Sequence, residues 1–263
     1  MLKHLSRIVS AVLLAGAVTA APAMAADLQD IISAGKVRIG VPIDVPPFGS
    51  VDAANEPVGL DVDMARSIAE ALGVELELQQ ITGANRIPYL ATDRLDIVIA
   101  AMGATPERAL QIAFTSPYAA LSIGVFGPDS IAVTSPAELT DQTIAVARGT
   151  TQDLELTKAA PNANILRFDD DATAAAAFTS GQAQLLATAD VVAKDMSDKD
   201  ASLQLKPKFI LQFSPCYIGI QQGNPELLRW LDTYIHVNHL NGTLSGLSEK
   251  WIGTPLPEGF PSI

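Results

Sequence analysis

Two hydrophobic rhythms alternate along the chain. Val37-Arg38-Ile39-Gly40-Val41 is a β-rich run, closed by Pro42, Pro46 and Pro47. Over residues 61–72 the apolar Val62, Ala65, Ile68, Ala69 and Leu72 recur at helical spacing, and Gly73 predicts the stop. Glu75-Leu76-Glu77-Leu78 alternates as a half-buried strand does. Residues 87–92 read as a short helix and 96–100 as a buried strand. A β-α-β-α-β succession predicts a parallel sheet with helices packed on its faces.

After Tyr118 the series restarts. Strands are predicted at 121–126, 143–147, 164–168 and 184–187, with helices at 152–160 and 172–179 between them. A polar stretch follows at 194–200, then runs at 209–213 and 217–221. Residues 225–240 close the series as a helix with Leu227, Leu228, Leu231, Ile235 and Leu240 on one side. Two modest α/β units fit this pattern better than one large one.

Composition narrows the classes. The chain has 263 residues, is 48% hydrophobic and carries a formal net charge of −12, so it has a core and no basic face for phosphates. Its single cysteine, Cys216, excludes an internal disulfide and any multi-cysteine metal site. Residues 1–25 have the three parts of a secretory leader: Lys3 and Arg7, an apolar run over 8–18, and Ala23-Met24-Ala25. Eleven apolar residues fall well short of the ~20 that span a bilayer. The expectation is cleavage after Ala25 and a soluble protein that leaves the cytoplasm, with the net charge falling to −14 as the two basic residues leave.

Four places carry candidate chemistry, each at a strand end, where open α/β sheets bind ligands. Asp44-Val-Pro-Pro-Phe48-Gly49 is a stiff loop that would present Asp44 and Phe48; it reads equally as a turn whose Phe plugs the core. In Met102-Gly103-Ala104-Thr105-Pro106-Glu107-Arg108, Thr105 suits an N-cap and Pro106 the first helical position. Free N–H groups there and the planar fork of Arg108 suit a carboxylate. Arg148-Gly149-Thr150-Thr151-Gln152-Asp153 offers backbone approach at Gly149, with Thr150 and Asp153 at capping-box spacing. Thr188-Ala189-Asp190 puts a carboxylate at a strand end, where it could receive a ligand ammonium; the commoner reading is a solvated Asp at a turn.

These residues, together with Gly59-Leu-Asp61-Val-Asp63-Met64, Arg86-Ile87-Pro88, Asp96, Phe114-Thr-Ser-Pro-Tyr118, Gly181 and the ending 241–253, resemble the bacterial extracellular solute-binding proteins of family 3 in order and spacing. The resemblance implies an α/β, two-lobed periplasmic binding protein fold of type II. Lobe one would hold 26–120 plus 213–263 and lobe two 121–212, joined by two hinge strands. It implies capture of a small carboxylate-bearing solute, an amino acid or a derivative, by lobe closure, and delivery to the permease subunits of an ABC importer. The binding set is then Asp44, Phe48, Asn85, Met102, Gly103, Thr105, Arg108, Thr150, Thr151 and Asp190, with Arg108 on the α-carboxylate. No metal, cofactor or nucleic acid is implied, and the expected state is a monomer.

The chain departs from the family pattern at four positions. Ala189 stands where relatives hold the α-ammonium with an Asp, Asp190 being one residue late. Gln184 replaces another Asp, Gly103 a frequent Ser or Thr, and Gly83 a frequent aromatic. Asn85 and Arg86 then face a polar or acidic ligand tail. Two alternatives use the same scaffold: a periplasmic enzyme of the cyclohexadienyl dehydratase type, and a ligand-sensing domain. Asp44 and Asp190 are the acid candidates for the first. His236 and His239 fall on the last predicted helix, away from these loops.

Overall fold

The computed structural model describes residues 27–257 and 259–260, so the 1–25 leader and its cleavage site lie outside the described residues. In chain order the elements are α1 (Leu28–Ala34), β1 (Lys36–Val41), β2 (Ser50–Val51), β3 (Pro57–Val58), α2 (Leu60–Leu72), β4 (Glu75–Gln80), α3 (Arg86–Ala91), β5 (Ile97–Met102), α4 (Pro106–Ala109) and β6 (Ile112–Gly127). They continue as β7 (Thr143–Ala147), α5 (Thr151–Ala159), β8 (Asn164–Phe168), α6 (Asp171–Thr179), β9 (Leu185–Ala189), α7 (Asp190–Lys199), β10 (Lys206–Gln221), α8 (Pro225–Leu240) and α9 (Thr243–Ile252).

Eight strands are hydrogen-bonded in the order β4-β1-β5-β10-β6-β9-β7-β8. The outer trios are built as the alternation predicted: β1 runs parallel to β4 and β5, and β7 parallel to β8 and β9. Between them lie β6 and β10, sixteen residues each and antiparallel to one another. These two strands run through both halves of the molecule, and positions 120 and 213 fall inside them. Short runs at 121–126, 209–213 and 217–221 were the expectation. The pairing of β6 with β10 slips register four times, and Pro117, Pro207 and Pro215 interrupt the alternation, so one long strand reads as fragments.

Each half has its own core. In the first, α2, α8 and α9 cover β1 and β5, burying Ile39, Met64, Ile68, Ile97, Leu231 and Ile235. In the second, strict alternation sends Ile144 and Val146 to one face with Leu156, and Ala145 to the other with Phe178 and Leu186. The polar stretch 194–200 is mostly the end of α7, which buries only Val192 and Ala193 and so carries little apolar signal.

The Gly59–Met64 motif is structural. A Cβ on Gly59 would lie 2.2 Å from the Phe48 carbonyl oxygen, and the residue sits at φ 139°, so only glycine lets α2 start against the 44–49 loop. Asp63 accepts from Trp251 Nε1 at 2.8 Å and Lys250 Nζ at 2.7 Å, tying α2 to α9. Asp61 is fully buried and accepts from the Tyr118 hydroxyl at 2.6 Å and the Ala101 N–H at 2.9 Å. Ala101 has φ 44°, a left-handed conformation costly for a residue with a Cβ, and those bonds hold it where the chain turns into Met102-Gly103.

Burial pushes the Asp61 carboxyl up to about 7, against the two hydrogen bonds that favour its charged form. An acid whose pKa is higher folded than unfolded binds more protons when folded, so stability rises as pH falls through 7 toward 4. The melting temperature of the ligand-free protein is expected to be higher at pH 5.5 than at pH 8, and Asp61→Asn to flatten that slope. A slope unchanged in the variant would count against Asp61 as its source.

Candidate functional site

The site is built from loops at the strand ends of both halves, which face each other across the seam. On one side, Thr105 caps α4: its Oγ1 accepts from the Arg108 N–H at 3.2 Å, and Pro106 occupies the first turn. This short turn aims Arg108 across the seam. The side chain is 5% exposed. Nη1 donates to the Gly103 carbonyl at 2.5 Å and to Thr151 Oγ1 at 3.0 Å, and Nη2 to the Gly149 carbonyl at 2.9 Å. Three of five N–H groups are thereby used, and the Nε–H with one Nη2–H remains for a carboxylate. Desolvation, and then the neighbouring charge of Arg86, lowers the Arg108 pKa to about 10, so the group stays cationic at neutral pH.

Opposite lies the strand–loop–helix of β7 and α5. Thr150 caps α5 by accepting from the Asp153 N–H at 3.3 Å, and its hydroxyl donates to the Ala147 carbonyl at 2.8 Å. The Asp153 carboxylate in turn accepts from the Gly149 N–H at 3.0 Å and from Arg167 Nε at 2.8 Å. Gly149, with φ 73°, is thus held with its carbonyl toward Arg108. The Thr151 hydroxyl, which accepts from Arg108, keeps its own O–H to donate into the cleft.

Two cavities meet at this seam. The outer one, of about 330 Å³, is lined by Gly83, Met102, Thr105, Arg108 and Gly149 among others. The inner one is constricted and lined by Phe48, Thr150, Thr151, Asp171 and Ala189, with Ser214 of the long strand β10. Arg86 lines both.

The expected residues therefore divide. Met102, Thr105 and Arg108 line the outer cavity, while Phe48, Thr150 and Thr151 line the inner one. Phe48 is also fully buried in the first core, so it serves both readings of its loop. Gly103 gives its carbonyl to Arg108. A Cβ there would stand 2.7 Å from Ser214 Oγ and 2.9 Å from Thr151 Oγ1, which accounts for glycine where relatives carry Ser or Thr. Asn85 lines neither cavity; its Oδ1 accepts from the Thr82 N–H at 2.9 Å and shapes the turn that starts α3.

Asp190 does not line the inner cavity either. Its Oδ1 accepts from the Ser122 N–H at 3.1 Å and the Val191 N–H at 2.8 Å, so the carboxylate is turned to the backbone of β6 and its own helix. The residues of this stretch that line the cleft are Thr188 and Ala189. Asp44 reaches across the seam: Oδ2 accepts from the Asp171 N–H at 3.0 Å and the Ala172 N–H at 3.4 Å, the first amides of α6. A carboxylate of one half thus closes onto a helix N-terminus of the other, where the dipole favours negative charge.

Asp171 and Arg86 are among the cleft residues outside the expected binding set. Asp171 lines the inner cavity, and burial, reinforced by Asp44, pushes its carboxyl up to about 7. Arg86, placed beside Asn85 as a group facing the ligand tail, is 6% exposed and points into the cleft. The pattern around Asp170-Asp171 signals only a helix cap, and its place in a cleft depends on the approach of the other half. Among the described residues no group of three or more His, Cys, Asp or Glu is arranged to hold a metal ion, and no helix is long and apolar enough to cross a membrane.

Comparison with known proteins gives a consistent picture. The family model of bacterial extracellular solute-binding proteins, family 3, matches residues 37–254. The ABC transporter glutamine-binding protein GlnH of Bacillus subtilis is 27% identical over 222 residues, which is 82% of this chain and 81% of that protein. Among solved structures, the solute receptor for L-cysteine of Neisseria gonorrhoeae superposes with a TM-score of 0.80 at 31% identity, covering 86% of this chain and 93% of that one. The ancestral amino acid-binding protein AncCDT-1, a precursor of cyclohexadienyl dehydratase, does so with a TM-score of 0.77 at 30% identity, covering 86% and 99%. The chain belongs to the bacterial extracellular solute-binding proteins, family 3.

Proposed function

We propose that the protein binds a small α-amino acid between its two halves, with the α-carboxylate on the free edge of Arg108. The single observation that carries this is the Arg108 fork, fixed by Gly103 on one side and by Thr151 and Gly149 on the other, with two N–H groups left over. Thr151 is the second group for the same anion. With Asp190 committed to backbone amides and Ala189 at the usual ammonium position, Asp171 is the acidic group that meets the ligand ammonium. Asp44 acts as a latch that rewards closure, since its bonds to α6 exist only when the halves meet.

The protein is proposed to be made with a cleavable leader, to act in the periplasm as a monomer, and to hand its ligand to the permease of an importer. Binding without chemistry is the favoured reading, because the acid candidates Asp44 and Asp190 are both held by backbone amides. One observation favours a second reading, a dehydratase of the kind that arose on this scaffold: Asp171, raised to about 7, has the pKa of a general acid.

One experiment addresses both. In a thermal-shift screen of amino acids, prephenate and arogenate, at least one α-amino acid is expected to raise the melting temperature as ligand binding requires. Prephenate and arogenate are expected to be recovered unchanged. Release of an aromatic product would establish the dehydratase reading instead, and no shift with any amino acid would remove the first.

A further inference from the structure

Arg86 opens α3, whose capping residue Asn85 makes no side-chain bond to the helix. It is 6% exposed, its Nε is buried without a hydrogen-bond partner, and it forms no ion pair within 4.0 Å among the described residues. Asp44, Asp61 and Asp171 act on it only through space. A buried guanidinium with an unmet donor is costly, and proteins keep such a group where something else completes it.

Position says what completes it. Arg86 lines both cavities and so stands where they join, between the Thr150–Thr151 loop and the outer space under Arg108. The two guanidinium groups repel, which contributes to the lowered pKa of Arg108. Two like charges this close are stabilised together by an anion placed between them. The remaining charged groups of the outer cavity do not supply it. Lys158 is a further cation, paired with Glu155 on its own helix at 3.2 Å, and Glu107, on α4, is exposed to solvent.

Resting on the amino-acid reading above, we infer that Arg86 is the selectivity-determining residue of the cleft, and that the ligand is an amino acid with a second acidic group. One carboxylate sits on Arg108 and the other on Arg86, each replacing missing hydrogen bonds with charge-assisted ones. A carboxamide offers Arg86 one neutral acceptor and a donor it cannot use. A basic side chain would set a third cation beside two guanidinium groups.

Titration calorimetry of the full mature chain tests this with L-aspartate, L-glutamate, L-asparagine, L-glutamine and L-arginine as probes. The wild type is expected to bind the better of the two acids at least about tenfold more tightly than its amide, and to bind arginine most weakly. Arg86→Met is expected to bring the acid-to-amide ratio close to one, while the amide keeps its affinity within about threefold. Arg86→Lys is expected to restore a partial preference, which a merely structural role would not do. A wild-type preference for the amide or for arginine overturns the inference and leaves the amino-acid reading standing, as does a ratio unchanged in Arg86→Met. If none of the five binds but another amino acid does, the inference alone falls. If no amino acid binds, the functional reading falls with it.

Discussion

Arg108→Ala is expected to weaken amino-acid binding by about 100-fold or more, because it removes two effects at once. The first is the bidentate contact with the ligand carboxylate. In a site this buried, charge-assisted bonds contribute roughly 1.5–3 kcal/mol each, and two of them account for the fold-change without further help. The second is closure itself. The guanidinium joins Gly103 of one half to Thr151 and Gly149 of the other, so its loss favours the open form that binds with one half only. The fold is expected to survive, since the side chain ends at the seam and neither hydrophobic core includes it. Calorimetry with the best ligand of the screen reads the affinity, and a melt without ligand reads the fold. An affinity within about threefold of wild type, in a variant that melts normally, would remove Arg108 from the carboxylate site.

Much of this was legible in the sequence because it is local. Helix α2 appears within one residue of its predicted start, and β8 at the predicted residues, since each carries its period and its stop within a dozen positions. Thr105 and Thr150 cap helices as their spacing indicated, and Arg108 follows from that cap. What was not legible depends on partners remote in sequence. Strands β6 and β10 are held by each other across slipped registers, and neither has a clean alternation of its own. The carboxylate of Asp190 was legible as a residue type, but its orientation was not: the Ser122 N–H that takes it lies 68 positions away. Asp44 and Asp171, 127 positions apart, gain a shared role only because the halves close. The acidic net charge of −12 is likewise silent about a cleft lined by two arginines.

Gly83 illustrates the same point and carries the other large expected effect. At this position relatives often present an aromatic ring to the ligand, and its loss first looks like a lost contact. The geometry gives a different reason. A Cβ on Gly83 would stand 2.8 Å from the Arg148 carbonyl oxygen and 2.9 Å from Thr150 Cγ2, both on the opposite half. The next residues touch as well, with a Cβ on Gly149 placed 3.2 Å from the Ala84 Cα. Here the halves close backbone to backbone, and glycine is what the approach requires. Gly83→Phe is therefore expected to act as a wedge. The loop is ordinary within its own half, so the ligand-free melting temperature should change little, whereas full closure is blocked and the Thr150–Thr151 groups cannot meet a ligand held by Arg108. A loss of affinity of about 30-fold or more is expected, since contacts from one half are forfeited. Small-angle scattering should show the wild type contracting on ligand addition and the variant not. Should the phenylalanine instead strengthen binding by stacking on the ligand, the seam at Gly83 opens more readily than this packing allows, and the aromatic of the relatives would fit here too.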